Sequence, residues 1–184
     1  MINIYMLNNY YVYETPDFLD LPYIHNLVMQ KLETDFVKQG YVRINVEEDQ
    51  YLKSVQERFP FLGSWLNIYH TRPTGHIPLH IDGHRLAAFN IPIAGCDETS
   101  QTIYYESANG TQLEKVYKED ERHYRIIGEV REIYRFALTC PALIRNDVAH
   151  DVKRSNATST RIIASWGVGG TFEQCRDAFA QQLE

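Results

Sequence analysis

Residues 76–85 read HIPLHIDGHR, which places three histidines, an aspartate and an arginine in ten positions, with His70 shortly before them. The whole chain has only 7 histidines, so this clustering asks for a chemical reason. Within it, His80 and Asp82 lie two apart. Side chains two apart in extended backbone point to the same face. An imidazole and a carboxylate can therefore converge on one ion, and a third ligand must come from elsewhere in the chain. The strongest source is His150 in PALIRNDVAHDVKRSNATSTRIIASWGV, residues 141–168, where it follows an expected strand and Arg161 opens the next one. Two histidines and one carboxylate on one side of a metal leave other coordination positions open, the arrangement associated with non-haem Fe(II) oxygenases.

Composition narrows the surroundings of this motif. The 184 residues suit one ordinary domain able to bury a core. The apolar share of 44% and aromatic share of 12% fit a globular chain, and 13 tyrosines favour strands, whose pleated surfaces suit aromatic side chains. A net charge of −6 argues against broad nucleic-acid binding, which requires a basic footprint. Cys96, Cys140 and Cys175 are sparse and form no CxxC pair, so a cysteine zinc site is not expected and free thiols in a reducing compartment are. No leader pattern and no membrane-length apolar run is evident, and a cytoplasmic location is expected.

Along the chain, INIYMLNNYYVYE (2–14) predicts one or two strands. In 15–40, Phe18, Leu21, Ile24, Leu27, Val28, Leu32 and Phe36 recur at spacings of three and four, which predicts one buried helix face. Thr15 or Asp17 is its expected cap and Gly40 follows its end. EEDQYLKSVQERFP (47–60) predicts a shorter helix stopped by Pro60. From residue 63 the segments SWLNIYHT, LAAFNIPIAG, QTIYYES, IYRFALT, PALIRND and RIIASWGV predict short strands. The charged KEDER (118–122) predicts a solvated hairpin tip, and TFEQCRDAFAQQL (171–183) a last helix capped by Thr171. Helices first and many strands after them predict a mainly β jelly roll: 1–62 as N-terminal strand and helical support, 63–168 as the core, and 169–184 as a C-terminal helix.

The series His80-x-Asp82, then His150, then Arg161 eleven positions later resembles the Fe(II)/2-oxoglutarate-dependent dioxygenase superfamily, including its aspartyl/asparaginyl and prolyl hydroxylases. The resemblance covers roughly residues 63–168. It implies a cupin-like double-stranded β-helix in which His80, Asp82 and His150 bind Fe(II) and act in catalysis. It further implies that Arg161 holds the far carboxylate of 2-oxoglutarate. The implied reaction couples decarboxylation of 2-oxoglutarate to succinate with hydroxylation of an amino-acid, peptide or other small substrate.

Some members carry Arg-x-Ser, but here Ile163 follows Arg161 by two, which leaves a second donor to the cosubstrate unassigned. Tyr69 is the first choice for it, with Tyr104 and Asn90 as rivals. His25, His70, His76 and His123 read as surface or core histidines, and His84 as at most a residue of the pocket mouth. Arg85 and Arg145 are weaker candidates for meeting an acidic substrate, and Trp166 reads as core or pocket wall. The competing readings are a metal-binding cupin-like isomerase or hydrolase that uses no 2-oxoglutarate, and a ligand-binding module with a structural metal.

Overall fold

The computed structural model describes residues 11–15, 18–34, 41–110, 112–118 and 123–183. Two six-stranded antiparallel sheets dominate it. The first contains β1 (Val12–Glu14), β2 (Tyr41–Asn45), β3 (Leu62–Thr71), β5 (Ala87–Ala94), β10 (Ala142–Arg145) and β12 (Arg161–Val168), in the order β1-β10-β5-β12-β3-β2. The second contains β4 (Ile77–Asp82), β6 (Ser100–Ser107), β7 (Glu114–Lys118), β8 (His123–Ile127), β9 (Val130–Ala137) and β11 (His150–Arg154), in the order β7-β8-β4-β11-β6-β9. From β3 onward the chain crosses repeatedly between the sheets, as the expected jelly roll requires.

Strand alternation decides what each face of the first sheet does. Ala164 and Trp166 on β12, Phe89 and Ile91 on β5, Leu66 and Ile68 on β3, and Val42 and Ile44 on β2 point outward into the main apolar core. Three helices cover that face: α1 (Leu21–Thr34), α2 (Gln50–Arg58) and α3 (Phe172–Leu183). The α1 residues Ile24 and Val28, the α2 residues Leu52 and Val55, and the α3 residues Phe172, Cys175 and Phe179 supply the buried stripes. Each fully buried Phe or Ile side chain contributes roughly 1.5–3 kcal/mol. Trp166 belongs to this core, and its indole N–H donates to the Gly63 carbonyl at 2.6 Å.

The caps are local and specific. Asp20 caps α1, its carboxylate accepting from the Tyr23 N–H at 2.9 Å. Thr15 does not cap this helix as the sequence suggested, because its hydroxyl donates to the Pro141 carbonyl and ties the end of β1 to the start of β10. Asp17, Phe36 and Gly40 lie outside the described residues, as do positions 119–122 of the expected KEDER tip. Asp49 caps α2 at the Leu52 N–H, 2.8 Å away. Thr171 and Gln174 bond reciprocally at the start of α3, as a capping box. No described helix is long and apolar enough to cross a membrane.

The inward faces of the two sheets enclose two regions. One is apolar, where Tyr11, Tyr104, Ile144, Ile163 and Leu138 pack together. The other is a cavity of about 490 Å³. It falls within the usual range for small-molecule sites.

Candidate metal centre and its cavity

The second sheet brings the three expected ligands together. β4 ends in His80-Ile81-Asp82, so alternation turns His80 and Asp82 into the cavity while Ile81 packs behind them. β11 begins with His150, the direct register partner of His80. One donor atom from each of His80, Asp82 and His150 lies within 4.8 Å of the other two. Residues far apart in sequence thus meet through a single strand pairing.

Hydrogen bonds orient each donor. The His80 Nδ1 lies 2.8 Å from the Pro78 carbonyl, and the His150 Nδ1 lies 2.8 Å from the Val148 carbonyl. A carbonyl can only accept, so each Nδ1 carries the proton and each Nε2 keeps a lone pair for a ligand. Burial pushes the His150 imidazole down to about 4, reinforced by the neighbouring His80, so it is neutral near pH 7. Burial alone would raise the Asp82 carboxyl. The neighbouring His80, when its ring carries a second proton, and the Arg85 charge outweigh it and hold Asp82 well below the usual carboxylate range.

The two oxygens of Asp82 have different surroundings. Oδ2 accepts from the Arg85 Nη2 at 2.8 Å and from the Asn146 Nδ2 at 2.8 Å. Oδ1 faces His80 Nε2 at 3.5 Å. Asn146 also fixes the backbone: its carbonyl accepts from the Asp82 N–H at 3.1 Å, and its own N–H donates to the Leu86 carbonyl at 2.9 Å. The donor set of two imidazole Nε2 atoms and one remaining carboxylate oxygen fits a divalent metal such as Fe(II) and leaves coordination positions open toward the cavity.

Arg161 enters the same cavity from the opposite sheet, as the first residue of β12. It is 4% exposed, and its Nε has no hydrogen-bond partner. No carboxylate among the described residues pairs with it, and burial holds its guanidinium below the ordinary arginine range. A buried unpaired charge is costly, so the donor chemistry fits an incoming carboxylate such as that of 2-oxoglutarate. Gly95 lets β12 start where it does: it adopts φ +59°, and a Cβ there would stand 2.4 Å from the Thr160 carbonyl oxygen.

The remaining sequence candidates divide clearly. Tyr69 lines the cavity, beside Ile163 in the β3–β12 register and under the Arg85 guanidinium at 5.9 Å. Asn90 also lines it. Tyr104 does not: it is fully buried among aromatic rings and its hydroxyl donates to the Arg145 carbonyl at 2.8 Å. Arg145 is likewise turned away from the cavity, pairing with Glu173 at the start of α3 and lying 5.0 Å from the Phe172 ring. Arg85 reaches the cavity, but as the partner of Asp82. His84 and His123 both line it, and the His123 ring lies 5.0 Å from that of His80. Sequence reasoning passed over His123 and Asn146. His123 meets Asp82 only through the β4–β8 register, and Asn146 only through the fold that brings residues 82 and 146 together, neither of which a local pattern reveals.

No known family model matches the chain, and no curated protein matches it by sequence. Among solved structures it is similar in fold to the non-haem alpha-ketoglutarate-dependent carbocyclase SnoK from nogalamycin biosynthesis. That match has a TM-score of 0.50 at 10% identity and covers 85% of this chain and 79% of that one. A Pseudomonas putida prolyl-4-hydroxylase matches with a TM-score of 0.49 at 12% identity over 86% of this chain and 92% of that one. At 10% identity the likeness to the carbocyclase is one of fold, the mainly β, cupin-like jelly roll described above.

Proposed function

We propose that this chain is a non-haem Fe(II)/2-oxoglutarate-dependent oxygenase acting on a small-molecule or peptide substrate. The observation that carries this reading is the opposition of two elements across one cavity: the His80, Asp82 and His150 cluster on one sheet and the buried, uncompensated Arg161 on the other. A generic metal barrel has no use for the second element.

In this reading His80 Nε2, Asp82 Oδ1 and His150 Nε2 hold Fe(II). Arg161 takes the far carboxylate of 2-oxoglutarate, its planar fork suiting a carboxylate bidentately. Together with O₂, the metal and cosubstrate supply the oxidising chemistry: 2-oxoglutarate is converted to succinate and CO₂ while one oxygen atom enters a substrate C–H bond. The protein binds and orients. Pro78 and Val148 fix the histidine rings, Arg85 and Asn146 hold Asp82 ionised and one-sided, and Ile77, Ile144, Val152 and Ile163 give the cavity apolar walls that limit water.

The test is anaerobic titration of the protein with Fe(II) and then 2-oxoglutarate, followed by a screen for substrate-stimulated succinate. Saturable Fe(II)-dependent 2-oxoglutarate binding is expected. Metal binding with no affinity for 2-oxoglutarate would move the assignment to a cupin-like isomerase or hydrolase.

A further inference from the structure

A polar row crosses the first sheet on its cavity face. Arg43 on β2 pairs in register with Asn67 on β3, Asn67 pairs with Ser165 on β12, and Ser165 pairs with Asn90 on β5. Directly opposed residues of antiparallel strands point to the same face, and all four line the cavity. Arg85 reaches the middle of the row, its Nη1 lying 3.4 Å from the Ser165 hydroxyl. The row stands apart from Arg161, which precedes Ser165 by four residues along β12, or roughly 13 Å at about 3.3 Å per residue.

The row does not satisfy itself. Among the described residues Asn67 reaches the Ser165 carbonyl alone, at 3.4 Å. Asn90 is 5% exposed, yet its Oδ1 has no hydrogen-bond partner among the described residues. A buried amide oxygen without a donor is unfavourable relative to one that is bonded. Structural polar ladders close on themselves, whereas this one leaves an acceptor beside the cavity.

Charge points the same way. Asp82 is the one carboxylate among the described residues lining the cavity, and it is paired with Arg85. A divalent metal and a dianionic 2-oxoglutarate cancel. The Arg161 charge then remains within the cavity. A closed site with a surplus positive charge favours an anionic occupant.

We infer that the Arg43–Asn67–Ser165–Asn90 row is the substrate subsite and takes a small organic anion that also carries a hydrogen-bond donor. The acid lies toward Arg85, whose Nε has no hydrogen-bond partner among the described residues, and the donor meets Asn90 Oδ1. This inference rests on the oxygenase reading, which gives Arg161 to the cosubstrate.

The experiment uses the full chain loaded with redox-inert Zn(II) and saturated with 2-oxoglutarate, whose own binding is measured first by calorimetry. Three probe sets are then titrated: free L-amino acids, the corresponding amino-acid amides, and phosphoethanolamine, which carries a phosphate and an amine but no carboxylate. At least one anionic probe is expected to bind, with its acid-free counterpart at least tenfold weaker; the carboxylate and phosphate arms identify which acid the site takes. Asn90→Ala and, at the half-buried position, Asn67→Ala should each weaken that probe severalfold, and Asn67→Ala should leave 2-oxoglutarate affinity unchanged. Binding of amides as tight as of acids, no binding of any anionic probe, or unchanged affinity in both variants would overturn the inference. Failure of 2-oxoglutarate itself to bind strikes the oxygenase reading instead, so the two failures are told apart.

Discussion

His80 and His150 are direct partners in the β4–β11 ladder, their ring centroids 4.3 Å apart. Strand pairing, not a flexible loop, sets this separation. Both rings are held at Nδ1 by carbonyls two residues earlier in their own strands or turns. The pair is therefore arranged for a ligand before any ligand arrives, and such preorganisation lowers the ordering cost of binding.

The first expected outcome concerns metal stoichiometry. The protein should bind one Fe(II), Mn(II) or Zn(II) per chain, and His80→Ala and His150→Ala should each weaken it by well over tenfold. Calorimetric titration of metal-free protein checks this. Retention of full affinity in either variant would remove that histidine from the ligand set.

The hydrogen bonds to Asp82 predict a subtler effect. Asn146 touches no cavity metal through its own side chain, yet it holds the Asp82 oxygen that faces away from His80. Partners of this kind typically affect metal affinity by about 10–100-fold. Asn146→Ala should fall in that range, and Asn146→Ser, which retains a donor, should lose less. If metal affinity in Asn146→Ala matches wild type, the Arg85 bond at 2.8 Å alone suffices to orient Asp82.

The candidate cluster was legible in sequence because its spacing follows strand geometry: HxD needs only period-two alternation, and His150 and Arg161 open the successive strands β11 and β12. What sequence did not show lies in cross-strand relations. The register that opposes His150 to His80 and Ser165 to Asn90 depends on bulges in the β4–β11 and β5–β12 pairings, which a local pattern does not reveal. Tyr104 failed as a cavity donor for a similar reason: a tyrosine two strands from the HxD motif is indistinguishable in sequence from a cavity tyrosine, and only the stacking with Tyr11 and Phe136 assigns it to the core. Short β2 and β11 escaped notice because YVRIN and HDVKR place charged residues inside strands, Arg43 toward the cavity rim and Lys153 toward solvent.

Acid should destabilise the metal-free protein through His150. Its imidazole falls from an ordinary 6.5 to about 4 in the fold, because burial disfavours the charged form. Between those values the unfolded chain binds the proton and the folded chain does not, so stability rises with pH across the window and is lost as pH falls from about 6.5 to about 4. At 1.36 kcal/mol per unit the full effect is about 3 kcal/mol. Denaturant midpoints at pH 7 and pH 4.5 should differ less in His150→Gln than in wild type. Equal pH dependence in both would assign the acid sensitivity to other groups.

Arg161 gives the sharpest division between an oxygenase and a generic metal barrel. Were it an exposed arginine, its loss would matter little, since surface ion pairs contribute about 0–1 kcal/mol. It is instead 4% exposed, uncompensated by any described carboxylate, and opposite the metal cluster. A hydrogen bond to a charged group contributes roughly 1.5–3 kcal/mol, and about 1.4 kcal/mol is a factor of ten. Arg161→Ala should therefore weaken 2-oxoglutarate by about tenfold or more while leaving Fe(II) affinity unchanged, because arginine is not a ligand. Arg161→Lys should recover part of the loss by keeping the charge without the fork. Anaerobic 2-oxoglutarate titration of the Fe(II) protein, wild type beside both variants, reads the difference. Equal affinity in all three would take Arg161 out of cosubstrate binding and leave the metal cluster without the feature that distinguishes it from other cupin-like sites.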